Sequence, residues 1–200
     1  MNVNFWNRLA PSFDSVNPSD PQFITFIKKQ LPVNSTLLEI GAGTGKLAAD
    51  LSDSCRLIEA SDFSPEMIKR GLEKNLPDSV HLSVEDATNL SFPSEQFDTV
   101  LAFNTLHVIS DIDKSLSEVT RVLQPNGQFI ASIPDFKRNK LSFIFIRWMM
   151  KLMKFRLWST KEYERLFHQH GLEVTFTGKI TEESSSVIII GKKKEIPTVR

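Results

Sequence analysis

The sequence predicts an α/β domain in which helices alternate with the strands of an open, mostly parallel sheet. Its first apolar run, residues 37–40, ends at a loop with three alternating glycines, and residues 46–51 after this loop have helical spacing. Residues 99–103 form a continuous apolar run, which is typical of a central parallel strand. Because a strand, a glycine loop and a helix meet at one point, we expect a cofactor site at the carboxyl end of the first strand.

The other elements follow from the same periodicities. A short helix is predicted over residues 21–30, and Ser64 is placed to cap another helix. A crossover helix follows Asp113 and stops at a turn over residues 124–127, and residues 159–162 form a capping box. The predicted strands cover residues 37–40, 57–62, 80–84, 99–103, 128–133, 172–176 and 186–190.

Composition limits the classes of function. The 24 lysines and arginines balance 24 aspartates and glutamates, so bulk charge gives no basis for a specific nucleic-acid partner. Cys55 is the only cysteine of the sequence, which excludes an intramolecular disulfide and a thiolate metal cluster. The first residues lack a basic region followed by an apolar core, so we expect a cytoplasmic protein. The length fits a single domain over residues 1–200.

The spacing of the glycine loop selects among nucleotide cofactors. A phosphate-binding P-loop needs glycine at the position of Ile40 and a hydroxyl residue at that of Leu47. The dinucleotide fingerprint needs a glycine where this loop has Lys46. The pattern Glu-x-Gly-x-Gly-x-Gly, which starts at Glu39, instead resembles the first motif of the class I S-adenosylmethionine-dependent methyltransferases.

Motifs elsewhere in the chain agree with this resemblance, which covers residues 5–191. The segment 62–67, Asp-Phe-Ser-Pro-Glu-Met, is similar to the second motif of the family. The opening segment 5–14 is similar to that of the type 11 methyltransferases related to quinone C-methylating enzymes, with Phe13 where a tyrosine is common. The motif around the turn after the crossover helix is also similar, with Asn126 replacing a glycine.

The resemblance implies a doubly wound, Rossmann-like methyltransferase sheet of seven mostly parallel strands, with helices on both faces and an antiparallel last strand. It implies S-adenosyl-L-methionine as cofactor and S-adenosyl-L-homocysteine as product. The implied reaction is displacement of the sulfonium's methyl group by an oxygen, nitrogen or carbon nucleophile. The expected acceptor is a small molecule, with a lipophilic one as the candidate.

Two other functions stay open. A non-catalytic S-adenosylmethionine-binding module would serve as a scaffold or as the partner subunit of another enzyme. A nicotinamide oxidoreductase is the third hypothesis. Among methyltransferases, residues 104–107 differ from the Asn/Asp-Pro-Pro-Tyr loop of amino-group methylators, and Cys55 lies outside any fitting motif of a cysteine-dependent base methylator.

Asp62 ends the second predicted strand beside the glycine loop. A carboxylate at that place can accept both hydroxyls of a ribose, and a simple turn aspartate is the competing interpretation. The cofactor-binding residues that the resemblance implies are Glu39, Gly41, Ala42, Gly43, Asp62, Phe63, Met67, Asp86, Ala87 and Asn104.

The resemblance also implies roles for the members of this set that lie beyond the glycine loop. Phe63 and Met67 would flank the adenine. Asp86 would accept a hydrogen bond from the adenine amino group, and the Ala87 amide would donate to the ring. Asn104, at the end of the fourth strand, would lie near the methionine part of the cofactor.

His107 is the candidate catalytic residue. Its ordinary pKa near 6.5 suits a general base at neutral pH, although a packed residue on the turn after the strand is the competing interpretation. His168 and His170 differ by two positions and point to different sides of a helix. With no acidic residue or cysteine clustered around them, we expect no metal site.

Two segments stand outside the regular pattern. Residues 1–30 contain a broken, aromatic-rich stretch that we interpret as an arm or lid. Residues 136–158 are apolar, aromatic and basic, and we interpret them as an insertion that covers the substrate. Within them, residues 142–158 form a predicted helix with a basic stripe, which suits peripheral contact with a membrane, a lid over a lipophilic acceptor, or packing on the sheet.

Overall fold

A computed structural model of the protein describes residues 3–16, 21–135 and 158–194. The predicted insertion over residues 136–158 and its helix over 142–158 lie outside these ranges, except for Trp158. Every predicted strand has a counterpart in the structure. The strands are β1 (Ser35–Ile40), β2 (Cys55–Asp62), β3 (Val80–Val84), β4 (Phe97–Phe103), β5 (Leu123–Pro134), β6 (Leu172–Gly178) and β7 (Ser186–Lys193).

The seven strands of the described residues form one sheet in the order β3-β2-β1-β4-β5-β7-β6. The pairs β3–β2, β2–β1, β1–β4 and β4–β5 are parallel, and β7 runs antiparallel to both of its neighbours. The order reverses at β1, where the chain crosses from one half of the sheet to the other. This arrangement confirms the predicted doubly wound, mostly parallel sheet and its antiparallel last strand.

The helices of the described ranges connect these strands. Short 3-10 turns lie at Ala10–Ser12, Ser52–Ser54 and Leu106–Val108. The α-helices are α1 (Val3–Leu9), α2 (Phe13–Val16), α3 (Pro21–Gln30), α4 (Lys46–Leu51), α5 (Pro65–Leu72), α6 (Ile112–Val122) and α7 (Thr160–Gln169).

Two apolar cores lie on opposite faces of the sheet. Successive residues of the central strands point to alternate faces, so Leu38 enters the core under α6 and α7 while Leu37 enters the core under α3 and α4. In β5, Phe129 and Ile130 divide between the same two cores. Helices therefore cover both faces, as the resemblance implied.

Local signals place the helix ends where the sequence predicted them. The Ser64 side chain accepts a hydrogen bond from the Met67 amide at 3.2 Å, with Pro65 at the first helical position. At α7, Ser159 and Glu162 form the capping box, and the Ser159 amide donates to the Glu162 carboxylate at 2.6 Å. These caps satisfy amides that have no partner within the helix.

Two features of the sheet differ from the sequence-based expectation. The turn predicted at residues 124–127 lies within β5, where it forms a bulge. Phe97 and Thr99 of β4 are two positions apart, whereas their partners in β5, Leu123 and Gln128, are five positions apart. Glu59, a charge within a buried strand, had no explanation from the sequence. It accepts a hydrogen bond at 3.1 Å from its cross-strand neighbour His81 in β3, at the edge of the sheet.

Phe167 joins α7 to the sheet, and its loss tests whether residues 158–194 fold together with the parallel strands. The side chain is fully buried, and its ring centroid lies 5.1 Å from that of Phe129 in β5. We expect Phe167→Ala to lower the free energy of unfolding by about 3–5 kcal/mol, because it leaves a cavity in a packed core. Urea unfolding measures this change.

The matched control is Val33→Ala, since Val33 is 98% exposed. We expect that substitution to change the free energy of unfolding by less than about 0.5 kcal/mol. Equal stabilities for the two variants would contradict the packing of α7 on β5.

Candidate cofactor-binding site

The candidate site lies at the carboxyl edge of the parallel strands, where β1 leads into the glycine loop of residues 41–45. The strand order reverses beside β1, so neighbouring loops diverge and leave a crevice. Two hydrogen bonds hold the loop against the end of β2. The Ala42 amide donates to the Ser61 carbonyl, and the Gly43 amide donates to Oδ2 of Asp62, both at 2.9 Å.

Two glycines of this loop have conformations and surroundings that exclude a side chain. Gly41 and Gly43 have φ angles of 71° and 57°, in the left-handed region that favours glycine. A Cβ on Gly41 would overlap the side chain of Thr105, and a Cβ on Gly43 would lie 2.5 Å from Cε1 of Phe13. The loop is therefore a cradle of bare backbone, enclosed by one residue from the start of the chain and one that follows β4.

Asp62 stands at the end of β2 with both carboxylate oxygens directed at backbone amides. Oδ2 accepts from Gly43 at 2.9 Å, and Oδ1 accepts from Ser64 at 2.8 Å. Burial raises the pKa of Asp62, and the hydrogen bonds from the Ser64, Gly43 and Phe63 amides oppose that rise. A carboxylate offers about four acceptor sites, so the two short bonds from Gly43 and Ser64 leave acceptor capacity for further donors.

Glu39 is the most perturbed carboxyl group of the site. Its side chain lies on β1 and the residue is only 2% exposed, and Oε2 is a buried oxygen for which no hydrogen-bond partner is present. Burial raises the pKa of Glu39 to about 8, and the nearby charge of Asp62 adds to the rise. A buried carboxyl oxygen without a partner is costly to the fold, and such groups concentrate at binding sites.

The expected adenine-side residues lie along the same edge, at the ends of β2 and β3. The Glu85 amide donates to the Asp62 carbonyl at 3.1 Å and so brings the two strand ends together. Asp86 is exposed, and its Oδ1 accepts from the amide and the hydroxyl of Thr88, both at 2.8 Å. Ala87 is 8% exposed and Met67 is 1% exposed.

Asn104 follows β4 on the other side of β1. It has a φ of 50°, which is uncommon for a residue other than glycine and concentrates at functional sites. Its Oδ1 accepts from Ser132 at 3.0 Å and from Ser186 at 3.3 Å. The next residue, Thr105, is the one that packs on Gly41, so the strained turn also closes the glycine loop.

His107 lies in the 3-10 turn that follows this segment. Its ring is largely buried, and burial lowers the pKa of His107 to about 4. The imidazole is therefore neutral at neutral pH, where it can accept a proton only as a weak base. Whether His107 takes part in catalysis stays a prediction.

Three side chains at the site were not anticipated from the sequence. Ser64 donates to Asn7 at 2.6 Å, and Thr44 donates to Asp14, which also pairs with Lys74 at 2.6 Å. The glycine loop and the start of α5 thus contact the N-terminal arm. Asn7 and Thr44 lie in segments that the sequence singled out, but nothing local assigned a role to these side chains or to Lys74, because their contacts join distant segments.

The described residues contain neither a cluster of metal ligands nor a helix that could span a membrane. No group of three or more His, Cys, Asp or Glu side chains is placed to hold a metal ion in this part of the chain. Among the helices of the same residues, none is long and apolar enough to cross a bilayer.

Comparison with known proteins agrees with this geometry. Residues 38–131 match the model of the methyltransferase domain family. The chain is 31% identical over 129 residues to the ubiquinone/menaquinone biosynthesis C-methyltransferase UbiE of Rickettsia massiliae. The aligned region covers 60% of this chain and 51% of that protein. The chain thus spans about half the length of the curated relatives it matches.

Solved structures share the whole fold at low sequence identity. A chain of the Haloferax volcanii complex between the Trm112 methyltransferase activator and a methyltransferase superposes with a TM-score of 0.80 at 20% identity, covering 95% of this chain and 98% of that one. A SAM-dependent methyltransferase from Aquifex aeolicus superposes with a TM-score of 0.74 at 17% identity, covering 96% and 99%.

The sheet order and the loop at its switch point define a doubly wound α/β domain, a class of fold that binds its ligands at the carboxyl edge of the strands. Residues 38–131, which include the glycine loop, are similar to the methyltransferase domain family, and the fold is shared with solved structures of S-adenosylmethionine-dependent methyltransferases. S-adenosylmethionine is the cofactor of that class.

Glu39→Gln tests the electrostatics of the site, because it keeps the side-chain shape and removes the ionisation. The pKa of Glu39 is about 8 in the folded protein, against an ordinary value of 4.5. The stability that comes from the bound proton is complete below about pH 4.5 and is lost as the pH rises through about 8. Relative to the variant, the wild-type free energy of unfolding should fall by about 1.4 kcal/mol per pH unit between these limits.

Urea unfolding of both proteins at several pH values in this window measures the difference. The control is Glu173→Gln, at an exposed glutamate near the start of the edge strand β6, which should leave the pH dependence of stability unchanged. A constant difference between wild type and Glu39→Gln across the window would contradict the raised pKa.

Proposed function

We propose that this protein transfers a methyl group from S-adenosylmethionine to a small-molecule acceptor. The observation that carries the proposal is the pair of buried carboxyl groups at the glycine loop. Asp62 accepts a hydrogen bond from the Gly43 amide, and Glu39, close enough for the charge of Asp62 to raise its pKa, holds a buried oxygen without a hydrogen-bond partner. A fold that needed only a stable sheet would have apolar residues at these positions.

The chain's own residues suit the chemistry of this cofactor. Asp62 retains acceptor sites for the two ribose hydroxyls. Glu39 offers an acceptor for a charged or polar donor, and the loop of Gly41, Ala42 and Gly43 presents backbone without side chains. These five residues form the part of the proposed site that the observed hydrogen bonds support most directly.

The remaining proposed contacts flank this centre. Phe63 is half-buried and Met67 is buried, so both offer apolar surface for the adenine. Asp86 uses one carboxylate oxygen for Thr88 and keeps acceptor capacity for an amino group, while the backbone of Ala87 follows directly. Asn104 fixes the turn after β4, which would lie beside the methionine part of the cofactor.

Catalysis by such a site consists mainly of positioning. The cofactor supplies an electrophilic methyl group on a sulfonium, so no nucleophile of the protein is required. Holding the reactants together in the right geometry supplies about 7–11 kcal/mol of the barrier. The chain's contribution is to fix one reactant at the glycine loop and to exclude water with the residues that close over it.

A lipophilic acceptor is the class we propose. The curated relatives include the ubiquinone/menaquinone biosynthesis C-methyltransferase UbiE, and residues 136–158 have an apolar and basic composition that suits a cover for such a molecule. Contact of residues 142–158 with a membrane is part of the same proposal. Its test is sedimentation with anionic vesicles, which should bind the protein in low salt and release it in high salt.

Incubation with labelled methyl donor and separate lipid, quinone, small-metabolite and RNA fractions tests the acceptor class. We expect label in the lipid or quinone fraction. Label in small metabolites alone would support methyl transfer but contradict a lipophilic acceptor. Label in RNA alone would contradict both the acceptor class and the expectation of no nucleic-acid partner.

A second candidate is a cofactor-binding scaffold or partner subunit. The observation that favours it is the similarity to the Haloferax volcanii structure, in which an activator accompanies the methyltransferase. The two functions differ in one measurement. Calorimetric binding of S-adenosylmethionine without label transfer to any acceptor fraction would favour the scaffold.

Asp62→Ala tests the ribose role. We expect it to weaken S-adenosylmethionine binding by about 1–3 kcal/mol, because a charged acceptor is lost. Gly43→Val should weaken binding further, since its side chain would collide with Phe13 and fill the cradle. Isothermal titration calorimetry measures both, with Asp53→Ala as the control at an exposed aspartate. Unchanged affinity in Asp62→Ala would remove this residue from the ribose role.

His107→Ala tests the candidate base. The pKa of His107 is about 4. If this residue is the base, kcat/KM should therefore fall near pH 4, as the imidazole becomes protonated. We expect the variant to keep the wild-type pH profile of kcat/KM between pH 6 and 8, as should the exposed-site control His168→Ala. A limb near pH 7 that disappears only in His107→Ala would contradict the burial of this ring.

A further inference from the structure

Three side chains from distant parts of the chain meet on the glycine loop. Asp14 lies in α2, within the described part of the N-terminal arm (residues 3–16), Thr44 belongs to the loop, and Lys74 follows α5. The Lys74 ammonium donates to Oγ1 of Thr44 at 2.7 Å and pairs with Oδ2 of Asp14 at 2.6 Å, while the Thr44 hydroxyl donates to Asp14. The three groups thus form a closed ring of charge-assisted hydrogen bonds.

The arm makes two further contacts with the candidate site. The Ser64 hydroxyl donates to Asn7 at 2.6 Å, at the residue that follows Asp62 and Phe63. The Phe13 ring lies directly over Gly43. Residues 3–16 therefore reach both the loop after β1 and the turn after β2, which are the two segments proposed to hold the cofactor.

Apart from Ala10, the apolar side chains of residues 3–15 are exposed or only half-buried, among them Trp6, Leu9 and Phe13. Helix α1 contains no buried residue, and Ala10 is the buried hydrophobic residue of the described stretch 3–15. Polar contacts therefore supply much of the arm's attachment. Segments with little apolar burial open at a lower free energy than the core, so the arm can detach while the sheet stays folded.

Resting on the function proposed above, we propose that Asp14, Thr44 and Lys74 form a latch that closes the N-terminal arm over the cofactor. Opening of this latch controls the exchange of S-adenosylmethionine and S-adenosylhomocysteine. Asp14 and Lys74 act as positioning residues that hold Phe13 over the loop. Thr44 links the latch to the loop itself, because its hydroxyl is both a donor to Asp14 and an acceptor for Lys74.

The dissociation rate of S-adenosylhomocysteine tests this latch. Stopped-flow fluorescence can follow release, since Trp6 lies in the arm. We expect Asp14→Asn and Lys74→Met each to speed release roughly fivefold, as suits an ion pair that is about one-third exposed. In the double variant the two effects should not add, because each single change already breaks the same contact.

The matched control is Lys28→Met, which breaks a surface ion pair of similar length with Asp53. That pair joins α3 to the turn after α4, so its loss should leave the release rate unchanged. Thermal unfolding of every variant confirms that the sheet remains folded. Equal acceleration in Lys28→Met would assign the effect to general loss of charge and would overturn the latch.

Hydrogen exchange of the ligand-free protein gives a second readout. We expect the amides of residues 3–16 to exchange faster in Asp14→Asn than in wild type, while those of β1 and β4 stay unchanged. Faster exchange of the arm with unchanged release of S-adenosylhomocysteine would overturn the gate and leave only a structural brace. If wild-type protein binds no S-adenosylhomocysteine, the proposed function fails; if it binds and the variants release it at the wild-type rate, only the latch fails.

Discussion

The hydrogen bond from the Gly43 amide to the Asp62 carboxylate is the contact on which the candidate site depends. It joins the loop after β1 to the end of β2, and the parallel bond from Ala42 to the Ser61 carbonyl sets the same register. Because every residue of β1 has a partner in β2, the loop that follows β1 starts from a fixed strand end. A ligand cradle held in this way is preorganised before any ligand arrives.

The electrostatic character of the site follows from that geometry. Bringing the loop against β2 places Asp62 close to Glu39, and both carboxyl groups lose solvent in the same crevice. Two desolvated acids at one place oppose folding, and the sheet tolerates them because its two apolar cores supply the stability. The crevice therefore favours ligands that bring donors or positive charge.

The N-terminal arm lies outside the two apolar cores of the sheet, since no residue of 3–15 belongs to either of them. It contacts the site through Phe13 and through the polar groups of Asn7 and Asp14, whereas its first helix buries no residue. In the latch proposed above, the sheet and the glycine loop are the fixed part of the site, and the arm is the part that opens and closes. This division suits a protein that must exchange a bulky cofactor and still exclude water.

The sequence by itself determined the seven strands and the glycine loop, because periodicity, helix caps and positive φ are local properties. The mostly parallel arrangement of the strands followed from the resemblance to the methyltransferases. Only the tertiary structure decided that Lys74 meets Asp14 on Thr44, that Glu59 pairs with His81, and that the pKa of His107 falls to about 4. Those outcomes depend on burial and on contacts between residues far apart in the chain, and neither leaves a pattern in the local sequence.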